Sequence, residues 1–134
     1  MEATSLERQP VHLGRGGGVS IEPFFTGEMA WYADYSARHA ADGADGRLVS
    51  LHSFSESWTS WEMHPLGAEV VLCTAGMITL IQERPDGTTG RVTLNVGDYA
   101  INPPGAWHTA DVSGPATALF ITAGAGTETR PPLT

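Results

Sequence analysis

From Arg47 onward the chain never runs far without turn-forming residues, and this punctuation restricts it to short strands. The segments Leu48 to Phe54, Trp58 to His64, Glu69 to Thr74, Met77 to Arg84, Arg91 to Leu94, Tyr99 to Asn102, Trp107 to Val112 and Thr117 to Thr122 have the alternation or the apolar content of strands. Between them stand Pro85-Asp86-Gly87, Asn95-Val96-Gly97-Asp98, Pro103-Pro104-Gly105 and Ser113-Gly114-Pro115. Asp-Gly supplies the positive φ angles of a tight hairpin turn, so Met77–Arg84 and Arg91–Leu94 are predicted to pair. About eight or nine such strands fit a sandwich or a barrel. No strand–helix–strand alternation is present, so a parallel α/β sheet is not expected.

With 134 residues the chain suffices for one domain with one core. Residues 1–18 carry few apolar positions and end in the run Gly14-Arg15-Gly16-Gly17-Gly18, which reads as a flexible N-terminal arm. Neither a helix start nor a lysine follows, as a phosphate cradle would need. Val19 to Phe25 is a possible first strand. A short helix is predicted over 27–41, with Thr26 as N-cap, Met29, Trp31, Tyr32 and Tyr35 along it, and Gly43 as its stop. His39 is assigned to the terminal carbonyls of that helix, and His12, in the arm, to no role. The single domain then occupies 19–123, and 124–134 form a C-terminal tail.

The net charge is −8, and all seven basic residues are arginine. Without lysine, Schiff-base chemistry and a Walker-type phosphate loop are excluded. The acidic balance argues against nucleic acid or an anionic membrane as partner, leaving a small molecule or another protein chain. Cys73 is the one cysteine, so no internal disulfide can form. No apolar run is long enough to span a membrane, and the first residues lack the pattern of a secretory signal. A cytoplasmic protein is the expectation.

Two segments carry the chemistry. Trp61 to Gly76 contains Glu62, His64 and Glu69, and Gly97 to His108 ends in a second histidine. In an extended strand Glu62 and His64 project to one face while Trp61 and Met63 project to the other. Imidazole nitrogens and carboxylate oxygens converging from Glu62, His64, Glu69 and His108 are a donor set for a divalent transition metal. Alternation likewise turns Trp61 and Trp107 away from the site, toward packing. His52 is read as a satisfied polar residue or as part of the cavity lining.

These segments resemble the paired motifs of the cupin superfamily, G-x5-H-x-H-x(3,4)-E-x6-G and G-x5-P-x-G-x2-H-x3-N. His64, Glu69 and Gly76 match the first motif, and Gly97, Pro103, Gly105 and His108 match the second, over roughly residues 47–123. Glu56, Glu62 and Val112 depart from it, standing where the opening glycine, the first histidine and the closing asparagine belong. The chain is similar to small single-domain bacterial cupins. The resemblance implies an all-β jelly-roll barrel, a metal inside it near one mouth, and a homodimer.

The departure at Glu62 leaves two site chemistries open. If all four residues bind, two glutamates cancel the charge of a divalent ion, giving a weaker Lewis acid than three histidines and one glutamate would. If only His64, Glu69 and His108 bind, the set is the two-histidine, one-carboxylate arrangement of non-haem iron sites, and Glu62 is free as catalytic acid or base. Either set favours Mn or Fe(II), with Zn or Ni possible. The expected function is a small metalloenzyme of oxygenase, isomerase (epimerase) or lyase type acting on a metal-chelating organic molecule. The alternatives are a non-catalytic ligand-binding or sensing cupin, and a metal-free structural one.

Overall fold

The computed structural model describes residues 1–131. A hairpin comes first: β1 (Val11–Leu13) and β2 (Val19–Ile21) pair antiparallel, Val11 opposite Ile21. Gly16 and Gly17 make its turn with φ of 64° and 76°, a conformation glycine adopts without a Cβ penalty. β1 also pairs with β3 (Arg47–Phe54), Val11 opposite Val49. The segment read from sequence as an arm is thus partly woven into a sheet. Val11 and Leu13 alternate with the buried His12 as a strand requires.

The helix α1 spans Met29–Arg38. Glu28 takes the N-cap position, and Thr26 instead accepts a hydrogen bond from the Glu28 N–H at 3.2 Å, two residues before the position predicted for it. Trp31 and Tyr35, one turn apart, are its buried residues and pack with Phe25 against Leu48. A 3-10 segment, Ala40–Asp45, follows, bent at Gly43 with φ of 53°.

The remaining strands are β4 (Trp61–Met63), β5 (Glu69–Ala75), β6 (Ile78–Glu83), β7 (Thr89–Leu94), β8 (Tyr99–Asn102), β9 (His108–Asp111), β10 (Ala116–Thr122) and β11 (Glu128–Arg130). One sheet has the order β2-β1-β3-β10-β5-β8 and the other β11-β4-β9-β6-β7, with every pairing antiparallel. Two facing antiparallel sheets of this kind are the all-β jelly roll expected from the sequence. The Pro85-Asp86-Gly87 turn joins β6 and β7 as predicted, with Gly87 at φ 85°.

Between the sheets lie Val71, Cys73, Ile78, Leu80, Leu94, Ala110, Ala116, Ala118 and Phe120. Each large apolar side chain here contributes about 1.5–3 kcal/mol by leaving water. Cys73 belongs to this core, and burial raises its thiol pKa, so it is a packing residue. Gly76 closes β5 at φ 72°, where a Cβ would stand 2.3 Å from the Pro115 carbonyl oxygen. The glycine of the first motif is therefore required by both torsion and space.

β11 gives the segment read as a tail a role. It pairs with β4 and carries the Arg130 guanidinium over the rings of Trp61 (5.1 Å) and Trp107 (4.5 Å). Arg130 also pairs with Glu83. Both tryptophans pack away from the metal-ligand candidates, as alternation predicted.

Candidate metal centre

Three strands and one loop bring four side chains together. Glu62 lies on β4 directly opposite His108 at the start of β9, His64 follows β4, and Glu69 opens β5 on the facing sheet. His64 Nε2 stands 3.2 Å from Glu69 Oε2, and His108 Nε2 stands 3.3 Å from Glu69 Oε1. Glu62 Oε2 is 3.9 Å from His64 Nε2. Donor atoms of Glu62, His64 and His108 all fall within 4.8 Å of one another. All four residues singled out in the sequence therefore meet.

The outward nitrogens settle which ring nitrogen faces inward. His108 Nδ1 is 3.1 Å from the Ala106 carbonyl, which can only accept, so Nδ1 carries the hydrogen. His64 Nδ1 is 2.7 Å from Thr127 Oγ1, and that hydroxyl already donates to the Gly124 carbonyl at 2.7 Å. The hydroxyl must therefore accept from His64 Nδ1–H. In the neutral rings both Nε2 atoms are bare lone pairs, buried and without a hydrogen-bond partner among the described residues. They are aimed at the oxygens of an equally buried carboxylate, an arrangement that repels unless a cation or protons occupy the space.

Glu69 is itself held. Asn102 Nδ2 donates to its Oε1 at 3.0 Å and Thr122 Oγ1 to its Oε2 at 2.6 Å. Gln82 Nε2 in turn donates to Asn102 Oδ1 at 2.7 Å. None of these supporting residues was singled out in the sequence. Asn102 had a signal: it shares the inward face of its strand with Ala100 and lies directly opposite Glu69.

Charge and burial act against each other here. Burial raises the Glu69 pKa, but the His108 and His64 rings beside it, which donate and carry charge when protonated, outweigh that and hold the carboxyl well below its ordinary range. Burial lowers His108, and the Glu69 carboxylate, which the ring would donate to once protonated, reverses that and leaves it raised. Glu62 is raised, first by burial and then by the Glu69 charge. On α1, Tyr32 is pushed up to about 12 by burial and by the charges of Glu62 and Glu69, which places its phenol in the field of the site. Phe25 contacts both Tyr32 (ring centroids 5.7 Å) and His52 (4.9 Å), and His52 contacts Phe120 (5.8 Å). His52 thus joins an aromatic cluster, where burial lowers its pKa.

A second cluster, His12, His39 and Asp42, also brings metal-ligating atoms within 4.8 Å of each other, but its nitrogens are engaged. His12 lies 2.6 Å from both Tyr35 Oη and Asp42 Oδ2, and His39 Nε2 lies 2.9 Å from Glu22 Oε1. The two rings stack at 3.6 Å with 16° between planes, so their in-plane lone pairs do not converge on one point. These hydrogen bonds fasten the N-terminal hairpin to α1 and to the segment that follows it. The sequence assigned His12 nothing and His39 to helix carbonyls; a partner carboxylate for each, distant in sequence, decides otherwise.

No protein-family model matches this chain, and no curated protein matches it. Among solved structures it is similar to a single-substitution variant of oxalate decarboxylase from Bacillus subtilis, with TM-score 0.56, 15% identity, and coverage of 72% of this chain and 26% of that one. It is similar to an oxalate oxidase with TM-score 0.53 and 13% identity, covering 60% of this chain and 44% of that one. Hydroquinone 1,2-dioxygenase from Sphingomonas sp. TTNP3, with 4-hydroxybenzoate bound, matches at TM-score 0.48 and 19% identity over 57% of this chain and 59% of that one. The chain spans less than two thirds of each of these proteins, and the likeness is one of fold.

Proposed function

Taking as premise that the chain has the fold of the cupin superfamily, we propose that it is a metal-dependent enzyme acting on a small organic molecule that chelates the metal. His64, His108 and Glu69 would hold one divalent transition metal, with Glu62 beside or upon it. The observation that carries this reading is the pair of bare, buried Nε2 atoms turned toward two oxygens of one carboxylate. Two imidazoles with carboxylates suit Mn or Fe(II), and also admit Zn or Ni. The oxalate decarboxylase of Bacillus subtilis, which shares the fold, has Mn(II) centres. When bound, such an ion supplies Lewis acidity and, for iron or manganese, one-electron chemistry, as oxygenase, isomerase and lyase reactions require.

The chain's own residues divide the remaining work. The Glu62 side chain is 35% exposed, against 6%, 4% and 1% for His64, Glu69 and His108, so an entering molecule meets Glu62 first. Its longer distance to His64 favours the reading in which Glu62 holds or moves a proton at a carboxylate oxygen and Glu69 is the acidic ligand.

Elemental analysis tests this directly. Protein purified without chelator from cells supplied with Mn, Fe and Zn is expected to carry near one equivalent of metal, and His64→Ala and His108→Ala to carry almost none. Wild-type protein free of metal after that supply overturns the reading. Glu62→Gln separates the two roles: metal retained makes Glu62 an acid–base, and metal lost makes it a ligand.

A further inference from the structure

Two rows of directly paired residues face each other across the site. On the five-stranded sheet Gln82 lies opposite His108, and His108 opposite Glu62. On the six-stranded sheet Asn102 lies opposite Glu69, and Glu69 opposite Thr122. Directly paired residues project to the same face, and the burial of His108, Glu69 and Asn102 turns both rows inward, between the sheets. His108 Nε2 meets Glu69 Oε1 across that gap at 3.3 Å. Beside them Gln82 Nε2 meets Asn102 Oδ1 at 2.7 Å, so Gln82 fastens one row to the other.

A backbone carbonyl fixes the direction of each amide in this chain of contacts. The Gln82 side-chain amide lies 2.8 Å from the Ile101 carbonyl oxygen, which can only accept, so the atom there is Nε2 with its hydrogens. The second hydrogen of that nitrogen goes to the Asn102 amide, whose facing atom must then be Oδ1. With Oδ1 committed, Nδ2 is the atom turned to Glu69 Oε1 at 3.0 Å. Asn102 is 1% exposed, so a reversed amide would set Oδ1 against the Glu69 oxygen with no solvent to soften the repulsion. A side chain on the opposite sheet from Glu69 thus decides whether a donor or an acceptor meets that carboxylate.

We propose that Gln82 is a positioning residue, which sets the direction of the Asn102 amide and so keeps a donor turned to Glu69. Thr122 Oγ1 serves the other Glu69 oxygen and can rotate its hydrogen to suit, whereas an amide presents a fixed donor and a fixed acceptor. The consequence for metal affinity rests on the metal reading of the site, and the amide directions stand without it. A carboxylate at position 82 has no hydrogen for Ile101 or Asn102. The Asn102 amide then turns over, giving Nδ2 to the new carboxylate and Oδ1 to Glu69. Charge alone predicts the opposite effect on a metal, because one more anion near the site attracts a cation. The sign of the change therefore separates the two causes.

Titration of the metal-free full chain with Mn(II), read by electron paramagnetic resonance of the free ion, is the test, with thermal melting of the same metal-free proteins beside it. Gln82→Glu is expected to raise the Mn(II) Kd by roughly 10-fold or more. In an Asn102→Leu background, where no amide is left to turn, the same substitution should leave Kd unchanged or lower it. Its drop in Tm should be at least about 4 °C larger in the wild-type background than with Asn102→Leu. If Gln82→Glu does not fold, Gln82→Met, which also lacks the hydrogens, is held to the same two comparisons. A Gln82→Glu protein that binds Mn(II) as tightly as wild type, or more tightly, overturns the proposal, and so does equal weakening in both backgrounds. A wild type that takes up no Mn(II) sinks the metal reading instead; unequal melting shifts then still support the amide direction, and equal ones overturn it.

Discussion

Thr122→Val isolates a single hydrogen bond at the centre of the site. Valine keeps the shape of threonine and removes only the hydroxyl that donates to Glu69 Oε2 at 2.6 Å. The acceptor is a buried carboxylate, 3% exposed, so the loss falls at the upper end for hydrogen bonds, about 1.5–3 kcal/mol. For a chain of this size each kcal/mol shifts Tm by about 3–4 °C, so the metal-free variant should melt roughly 5–10 °C lower. The pH dependence has a definite sign. Glu69 has a depressed carboxyl pKa in the folded protein, so its contribution is present above the unfolded value of about 4.3 and is lost as pH falls through the folded one. The gap between wild type and variant should be widest near neutrality and close in acid. Metal affinity, measured with a competing chelator, should fall about 10–100-fold, the usual effect of removing a support from a ligand. Thr93→Val, which removes an exposed threonine–threonine contact, serves as control and should stay within about 0.5 kcal/mol. A Thr122→Val protein melting within about 1 °C of wild type, with unaltered metal affinity, would refute the assignment of Thr122 as a support of Glu69.

Gly76→Ala should cost more than about 3 kcal/mol in urea unfolding, since its Cβ would meet the Pro115 carbonyl at 2.3 Å and its torsion is left-handed; a loss under about 1 kcal/mol would contradict the close approach. Metal affinity should weaken as pH falls from 8 to 6, because protons compete for His108 Nε2 and Glu69 raises the His108 pKa; an affinity flat across that range would argue against imidazole ligation.

The barrel and its four candidate ligands were legible because they rest on local rules. Alternation, turn chemistry and the spacings from His64 to Gly76 and from Gly97 to His108 each need only a few neighbouring residues. What escaped rests on long-range pairing. Val11 to Leu13 is too short to announce itself as a strand, and becomes one because β3 offers an edge with Val49 opposite Val11. Glu128 to Arg130 is polar throughout, and it is a strand because Arg130 finds two indole faces and Glu83. The carboxylate partners of His12, given no role, and of His39, assigned to helix carbonyls, escaped because they stand 30 and 17 residues away in the chain.

Thr127 orients His64 from a position 63 residues further along the chain. Its hydroxyl relays between the imidazole and the Gly124 carbonyl, so the electron-donating character of one candidate metal ligand is governed by a surface loop. Variation at Thr127 or Gly124 could retune the redox potential or acidity of a bound ion while every wall of the chamber stays the same. Reactivity and selectivity would then be adjustable by separate substitutions.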